Sequence, residues 1–541
     1  PWKTVSKANS LNLSPGDKIL FKCGDVWQVN QEGRVLTIKN SGTSGNPITA
    51  GAYYMNSGSP VEGVSGTRPI FRSNLVFNSA KDPNIGVCGA GVTCYPAAGS
   101  YNGLVQIQNG SDWVVFENLR VENSPGQGIF VNEGSSDVTI RNCQTDFTVN
   151  EGIGVIGGSP WNGQGTSNVT IEGNHVHKAT YGGWYSTEFS GPVGIGAISK
   201  VSNVIIRKNL VTGQFWGENI ASYQNSNNLL VEDNVIYGIP KIGIYFAGNI
   251  RDAMVRRNLV VGSMDNIPGT NVKPMFWVNE GASWYQWPYI GLAVDDEEQY
   301  SFDYSCGVAP WNSQWGDVRC HSQRITFQNN IVANTYYAVW IGIDDLWNQT
   351  WNGSQWVTTG DSILEDINFY NNTFIAARRG FLHGYHGTND CINCNAKNNI
   401  FTCGDASACA SAGLLVGQNQ GFSWTHNLWP SSPPIWANGI GSVVNSNAGL
   451  SKTSGWTSIN SGSMTGTEAA LVAGSPAIDA GTNLGANFNT GLNPATTNYL
   501  QMNINTLSRG TAWEMGAFVF DGGSGTPDTT PPAAPGGLAV R

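Results

Sequence analysis

A short phrase returns along most of this chain: apolar or β-branched residues, a polar or charged pair, an asparagine, and further apolar residues. Clear copies are VTIEGNHV at 169–176, LVEDNVI at 230–236 and ITFQNNIV at 325–332. The aligned asparagines are Asn118, Asn142, Asn174, Asn209, Asn234, Asn258, Asn330, Asn372, Asn399 and Asn427. Their successive separations are 24, 32, 35, 25, 24, 72, 42, 27 and 28 residues. A period in the twenties with insertions indicates a solenoid, in which each repeat packs on its neighbours.

Each repeat also contains a second apolar segment that usually opens with glycine, such as the segments that begin at Gly152, Gly243 and Gly413. Short alternating runs broken by Gly, Asn and Ser are typical of strands rather than helices. The 68 glycines among 541 residues suit a chain that turns sharply several times per coil. We therefore predict an all-β fold, a right-handed single-stranded parallel β-helix with long loop insertions. The asparagines are expected to stack as an internal ladder and to tolerate left-handed backbone.

Composition excludes some classes of function. The chain has 28 Lys+Arg against 38 Asp+Glu, a net charge of -10, which argues against a nucleic-acid partner. No run of 18 apolar residues is present, so no membrane span is expected. The chain opens at Pro1 in mid-phrase, so a leader sequence is compatible with it. We expect a monomer.

Ten cysteines fall mostly in close pairs, which suits disulfides in a secreted protein. The predicted pairs are Cys88/Cys94, Cys306/Cys320, Cys391/Cys394 and Cys403/Cys409, with Cys23 and Cys143 left over. Zinc at Cys391-x-x-Cys394 is a weaker alternative, because the surrounding spacing matches no strong zinc pattern.

Both ends of the chain resemble secreted right-handed β-helix proteins of the pectate-lyase-like superfamily. The opening PWKT and LSPGDKI, the later GSPAIDAG and the closing WEMGAF carry this resemblance, which implies carbohydrate-active proteins. The β-helix domain is expected over 1–520, with coils over 35–440 and a closing segment over 441–520. Residues 521–541 resemble a linker and the beginning of a truncated fibronectin type III module.

Equivalent positions of successive coils stack about 4.8 Å apart, so the second strands should present columns of side chains on the outside. In one column Tyr245 and Trp340 are expected beside each other as a platform for sugar rings, unless an inserted loop covers them. Just before these strands, Glu151 and Glu218 are expected two coils apart, roughly 9–10 Å. That spacing is near the upper end for the paired carboxylates of inverting glycoside hydrolases. The aligned column that contains Tyr245 and Trp340 consists of Phe130, Gly154, Gly196, Ala221, Tyr245, Trp340, Leu382 and Leu415.

The largest insertion, between Asn258 and Asn330, is rich in acids and aromatics. Its Trp284 and Trp287 are further candidates for stacking on sugars. Asp295 and Asp296 begin a run of four acids that suits catalysis, Ca²⁺ binding or simple solvation. No cofactor is required in this interpretation, and a structural Ca²⁺ is an alternative role for the acids.

A second acidic pair, Asp344 and Asp345, follows Trp340 in WIGIDDLW, which places acid and aromatic at one strand end. A general acid needs a raised pKa, which neighbouring carboxylates and an aromatic wall provide. Glu218, Asp295 or Asp296 would then activate water. These residues favour a secreted glycoside hydrolase that acts on a polysaccharide.

Two other classes stay open. A polysaccharide lyase needs Lys, Arg, His or Tyr, often with Ca²⁺, and the candidates include Lys200, Arg379 and His386. The excess of acids argues against this class, because a polyuronate prefers a basic groove. A non-catalytic carbohydrate-binding solenoid would need the aromatics but no paired carboxylates.

Overall fold

The structure is a computed structural model that describes 4–29, 36–73, 87–88, 92–93, 103–158, 163–180, 193–263, 290–295, 322–342, 349–351, 356–358, 364–377, 380–385, 391–405, 415–416 and 421–521. In the described part of the chain, successive coils contribute strands in turn to three parallel sheets, named A, B and C here. The described residues fall into two units, the first ending at Ser222 and the second beginning at Tyr223. Parallel strands visited in a repeating order are the architecture of a parallel β-helix, which confirms the predicted all-β solenoid.

The described residues of unit 1 form six coils. Its sheet A consists of Lys18–Lys22, Ile48–Asn56, Val114–Glu117, Ser136–Arg141, Thr166–Glu172 and Val201–Arg207. Its sheet B consists of Val26–Val29, Ile70–Ser73, Arg120–Ser124, Gln144–Thr148, His175–His177 and Leu210–Thr212. Its sheet C consists of Leu36–Ile38, Gly103–Ile107, Gln127–Val131, Ile153–Ile156, Val193–Ile198 and Glu218–Tyr223, the last of which contains the unit boundary. The coils therefore begin at Lys18, earlier than the predicted residue 35.

Unit 2 repeats the same order of sheets. Its sheet A consists of Asn227–Glu232, Arg251–Arg256, Gln323–Gln328, Leu364–Tyr370, Asn395–Lys397 and Ser423–Thr425, with Cys391–Ile392 beside Leu364–Tyr370. Its sheet B consists of Val235–Tyr237, Leu259–Val261, Ile331–Ala333, Thr373–Ile375, Ile400–Thr402, Leu428–Trp429 and Val443–Val444. Its sheet C consists of Ile242–Ala247, Ile290–Asp295, Tyr337–Gly342, Gly380–Tyr385 and Leu415–Val416.

Among the residues that the structure describes, few elements lie outside the coils. The single described α-helix is Val5–Asn9, and none of the described helices has the length and apolarity of a membrane span. The added strands, which all pair in antiparallel fashion, are Ser59–Glu62, Val87–Cys88, Val92–Thr93, Gln349–Trp351, Trp356–Thr358, Thr490–Leu492 and Thr506–Ser508. The 3₁₀ helices are Ile435–Ala437, Trp456–Ser458, Thr467–Ala469, Ala486–Phe488 and Tyr499–Gln501.

The repeated asparagines form the predicted ladder. In unit 2 the side chain of Asn258 donates to Oδ1 of Asn330 at 2.9 Å, and Asn330 donates to Oδ1 of Asn372 at 3.0 Å. Nδ2 of Asn330 also donates to the backbone carbonyl of Val255 in sheet A at 2.9 Å, and the same kind of bond is made by Asn258, Asn372, Asn399 and Asn427. These buried amides therefore have partners on both sides, and the ladder in unit 2 joins Asn234, Asn258, Asn330, Asn372, Asn399 and Asn427.

The predicted alignment was wrong for Asn118 and Asn142. The strand registers place Cys143, not Asn142, at the ladder position, and the backbone N–H of Cys143 donates to Oδ1 of Asn174 at 2.8 Å. Asn118 and Asn142 have φ values of 61° and 51° and occupy the turn position that Gly173 fills in the next coil. Left-handed backbone therefore belongs to the residue before the ladder position.

The closing segment packs along the turn between sheets A and B of unit 2. The hydroxyl of Tyr499 donates to the carbonyl of Arg257 at 2.7 Å, and Arg509 donates to Oδ1 of Asn329 at 3.0 Å. The backbone N–H of Thr482 donates to Oδ1 of Asn398 at 2.8 Å. The polar side chains of this turn thus hold the segment, which buries Arg509 completely.

The cysteine pattern is confirmed where the structure describes it. Cys391 and Cys394 form a disulfide, and Cys403 is disulfide-bonded. Cys23 and Cys143 are free thiols. The partners predicted for Cys88 and Cys403, as well as the pair Cys306/Cys320, lie outside the described residues.

Candidate functional site

The outer face of sheet C in unit 2 carries the candidate site. In the strand Ile242–Ala247, the ring of Phe246 lies 6.3 Å from Phe327 of sheet A, which places Phe246 in the core. Because successive side chains of a strand alternate between faces, Tyr245 and Ala247 point outward. The residues in register with Tyr245 and Ala247 on the neighbouring strands therefore also lie on the outer face.

Two rows of residues follow from the strand registers. Tyr245 pairs with Ala293, which pairs with Trp340. The small Ala293 lets the rings on either side approach each other, and Tyr245 and Trp340 stack with centroids 6.2 Å apart and planes 11° apart. Tyr223 packs edge-on against Tyr245 at 5.4 Å. The result is a cluster of three aromatic side chains.

Asp295 belongs to the neighbouring row, in register with Ala247 and Gly342. Its Oδ2 accepts a hydrogen bond of 3.1 Å from the Tyr245 hydroxyl, although the residue is only 4% exposed. A Cβ atom at Gly342 would lie 2.5 Å from Cγ of Asp295, so the carboxyl group occupies space that only a glycine leaves free. Tyr245, Asp295, Trp340 and Gly342 therefore form one interlocked group.

The structure corrects three details of the predicted platform. Tyr245 is not exposed, since only 2% of its surface is accessible, and Trp340 is the partly exposed member of the stack. The two rings are not on adjacent coils, because the strand Ile290–Asp295 lies between them. Trp340 is in register with His383, whereas Leu382 pairs with Val339. The stack itself is nevertheless present.

Glu151 lies two residues before the strand Ile153–Ile156 and Glu218 begins the strand Glu218–Tyr223, and these two strands are two coils apart in sheet C, as predicted. Both are buried, Glu151 at 3% and Glu218 at 0% exposure. Burial raises the pKa of the Glu151 carboxyl to about 7, so its protonated and ionised forms are both populated in neutral solution. A buried, protonated carboxyl has the property that a general acid requires.

A pH-dependent stability follows from Glu151. Its pKa is raised from 4.5 on folding, so the folded state holds this proton between pH 4.5 and about 7 while the unfolded chain releases it. The contribution of Glu151 to the free energy of unfolding is fully present below pH 4.5 and is lost as the pH rises through about 7. We expect Glu151→Gln to increase the unfolding free energy by up to about 3 kcal/mol at pH 8 and hardly at pH 4. Urea unfolding at both pH values measures this, and an equal effect at the two would contradict it.

Lys200 occupies a turn rather than the candidate site. It follows the strand Val193–Ile198 with a φ of 59°, and its carbonyl accepts a hydrogen bond of 3.2 Å from the backbone of Thr166. Its described role is therefore to close the corner between sheets C and A in unit 1. The remaining candidates lie outside the described residues: Asp296, Asp344, Asp345, Trp284, Trp287, Arg379 and His386.

Sequence reasoning missed Tyr223, Ala293 and Gly342. The segment Gly291-Leu-Ala-Val has the glycine-first pattern of other sheet C strands. It could have been predicted as a strand within the longest insertion. In the part of the chain that the structure describes, no three His, Cys, Asp or Glu side chains are grouped to hold a metal ion.

Comparison with known proteins bears on the fold. Residues 102–272 match the family model described as right handed beta helix region. None of the curated protein sequences compared with the chain matches it.

Several solved structures resemble the chain at low identity. An alginate lyase from Paenibacillus sp. str. FPU-7 is 15% identical with a TM-score of 0.42, over 72% of this chain and 97% of that one. The pectate lyase Pel9A is 14% identical with a TM-score of 0.39, over 95% and 90%. A GH136 lacto-N-biosidase from Eubacterium ramulus is 14% identical with a TM-score of 0.41, over 82% and 64%. The described strand registers and the matched region 102–272 together identify the fold as a right-handed parallel β-helix.

Proposed function

We propose that this protein is a secreted carbohydrate-active enzyme, a glycoside hydrolase whose substrate lies along the outer face of sheet C in unit 2. One observation carries the proposal: the Tyr245–Trp340 stack has the Asp295 carboxyl group hydrogen-bonded to it. An aromatic surface and a fixed carboxyl group are the two elements that sugar binding and glycosidic bond cleavage need. The Cys391–Cys394 disulfide supports an oxidising, extracellular location.

Each side chain has a defined part in this proposal. The partly exposed face of Trp340 stacks on a sugar ring, and Tyr245 supports it from behind. The Tyr245 hydroxyl holds Oδ2 of Asp295, so the carboxyl group keeps one orientation. A carboxylate held in this way is suited to activating water or to stabilising positive charge at the sugar carbon.

The second carboxyl group that hydrolysis requires is proposed from the sequence. Gly342, the register partner of Asp295, precedes Asp344 by two residues and Asp345 by three. Acids that directly follow this strand are the nearest candidates along the chain to act with Asp295. We propose one of them as the proton donor to the leaving group.

A panel of neutral and uronic polysaccharides, read in two ways, tests this function. Release of reducing ends without absorbance from unsaturated uronides is the result expected of a hydrolase. Both signals together would identify a lyase instead. Binding with neither signal would identify a carbohydrate-binding solenoid, and an absence of binding and of both signals would contradict the proposal.

The Tyr245 hydroxyl gives the lyase alternative its own support. A tyrosine hydrogen-bonded to a carboxylate can transfer a proton to or from a sugar carbon or oxygen, which β-elimination requires. Tyr245→Phe separates the two reactions. It should abolish a lyase that uses this hydroxyl, whereas a hydrolase should keep measurable activity because Asp295 remains.

Gly342→Ala provides a test of geometry within the site. The new methyl group would lie 2.5 Å from Cγ of Asp295, so the carboxyl group must move. We expect kcat to fall about 100-fold with an unchanged circular dichroism spectrum, since displacing a catalytic group by about 1 Å has this effect. Steady-state kinetics measure it, and full activity would show that the position of Asp295 is unimportant.

A further inference from the structure

The outer face of sheet B in unit 1 carries a row of charged side chains. Val121 and Val176 are fully buried in the core, so the residues that follow them on their strands point outward. The strand registers join these outward residues into one row, which consists of Arg72, Glu122, Asp146 and His177. Arg120 lies on the same strand as Glu122, and Lys178 follows the last strand. Arg72, Arg120, Glu122, Asp146, His177 and Lys178 are called the Asp146 cluster below.

The equivalent face of sheet B in unit 2 has a different character. Its outward row consists of Tyr237, Val261 and Ala333, which are in register and completely buried. The closing segment covers this row, and the hydroxyl of Tyr237 donates to the carbonyl of Met464 at 3.0 Å. The row in unit 1 is polar and partly exposed instead, as suits a surface that contacts water or a polar ligand.

Cations outnumber carboxylates in the Asp146 cluster. Oε2 of Glu122 accepts a hydrogen bond of 2.6 Å from Arg72, and its Oε1 lies 2.5 Å from Nε of Arg120. Two arginines therefore already occupy both oxygens of Glu122. The cluster contains three Lys and Arg side chains against two acids, whereas the whole chain has 28 against 38. An acidic protein thus has a local excess of positive charge on this face.

The second carboxylate, Asp146, has three nitrogen neighbours at longer distances. Nη2 of Arg120 lies at 3.5 Å and Nδ1 of His177 at 3.4 Å. Nζ of Lys178 lies at 4.0 Å, too far for a hydrogen bond, and it makes no side-chain hydrogen bond to any described residue. The ammonium group of Lys178 therefore keeps its three donors for a partner other than the described side chains.

Two titratable groups respond to this positive charge. Burial acts to raise the pKa of Asp146, yet the hydrogen bond from His177 and the surrounding positive charge lower it below its ordinary value. The ring of His175 stacks on that of His177 with centroids 5.6 Å apart. The pKa of His175 is lowered to about 4, chiefly by burial and also by nearby positive charge, so His175 stays neutral and adds no charge of its own in neutral solution.

We propose that the Asp146 cluster binds an anionic group, a carboxylate or a sulfate ester, that is carried by a polysaccharide. The side chains of Arg120, His177 and Lys178 are 28%, 30% and 35% exposed, so a ligand can reach them. Lys178 supplies a mobile point charge, and the N–H groups of Arg120 that do not face Glu122 or Asp146 supply directed donors.

The form of the site favours a polymer over a small free ion. The row repeats across four strands that are about 4.8 Å apart, which suits an extended chain with charges at intervals. In naming a polysaccharide, the inference rests on the proposed function. The cluster lies on sheet B of unit 1, so it includes neither Asp295 nor Trp340 and depends on no catalytic role proposed for them.

Lys178→Gln tests the proposal, because this side chain has no hydrogen bond to lose among the described residues. The wild type should bind polygalacturonate or dextran sulfate in calorimetry, with an affinity that falls as NaCl is added, since salt screens exposed charges. Lys178→Gln should weaken that affinity about fivefold, the effect of one partly exposed ion pair. Neutral dextran should show no binding that depends on Lys178. The polymer that binds identifies the group as carboxylate or sulfate ester.

Lys208→Gln is the matched control. Lys208 is an exposed lysine of unit 1 outside the cluster, and its φ of 55° is close to the 54° of Lys178. Its substitution should leave the affinity within twofold of the wild type. Thermal unfolding midpoints of both variants should equal that of the wild type.

Four outcomes would overturn the proposal. Equal losses in the two variants would indicate non-specific attraction, and no loss in Lys178→Gln would place the polymer on another face. Binding of sodium sulfate or sodium acetate without either polymer would indicate a site for free ions only. Binding of no acidic probe would show that the Asp146 cluster is an ion-pair network alone. Reducing-end release is measured separately, so failure here is distinguishable from failure of the proposed hydrolase.

Discussion

Asp295→Asn is expected to lower kcat on the best polysaccharide by about 1,000-fold, the size of effect that removal of a catalytic acid or base has. Asparagine matches the shape of aspartate, and its amide oxygen can still accept the hydrogen bond from Tyr245. The aromatic stack should therefore stay in place. We expect KM to change less than threefold, because binding to Trp340 does not require the charge. Initial rates and a binding isotherm for the same substrate measure the two effects.

Asp252→Asn is the matched control for this experiment. Asp252 is an aspartate of unit 2 that is 43% exposed and paired with Arg324 at the surface. Its loss should leave kcat within twofold of the wild type, since exposed ion pairs contribute little to the fold. A kcat for folded Asp295→Asn that is also within twofold would exclude Asp295 from the chemistry.

Asn330→Ala is expected to destabilise the protein by about 3–4 kcal/mol. The substitution removes the acceptor of the Asn258 backbone N–H, at 3.0 Å, and one of the acceptors of Asn258 Nδ2, at 2.9 Å. It also deprives the carbonyl of Val255 of its donor. All of these groups are buried, where each lost partner costs about 1–3 kcal/mol. Urea unfolding followed by circular dichroism measures the change.

Asn395→Ala is the control outside the core. Asn395 donates to Oδ1 of Asn368 at 3.0 Å in a partly exposed row, where water can replace the lost partner. We expect a loss of at most about 1 kcal/mol. Equal losses for Asn330→Ala and Asn395→Ala would mean that the buried ladder has no special importance for stability.

The coil architecture was predictable because one structural requirement is repeated many times. A buried asparagine such as Asn330 must meet the same partners in every coil, and the period is therefore visible in the sequence. The prediction from the period failed at Asn142. This residue directly precedes Cys143, which occupies the ladder position, and Asn142 was aligned with the ladder because it is an asparagine. Residue type alone does not separate a left-handed turn position from a ladder position, since asparagine suits both.

The candidate site was only partly predictable, because insertions hide the register. Tyr245 and Trp340 were identified from their column, but the strand Ile290–Asp295 between them lies within the 72 residues that separate Asn258 from Asn330. Asp295 was selected for its charge. Its contact with Tyr245 depends on a pairing that no periodicity reveals. The burial of Tyr245 likewise depends on packing from outside its own strand.

The ladder of unit 2 has a direction. Each described side-chain amide donates towards the asparagine of the following coil, from Asn234 through Asn258 and onward to Asn427. The amide dipoles are therefore aligned head to tail, and each one polarises the next. A break at Asn330 would divide one long row of dipoles into two shorter ones. Coils distant from the substitution would then lose part of their mutual polarisation, although none of their own contacts has changed.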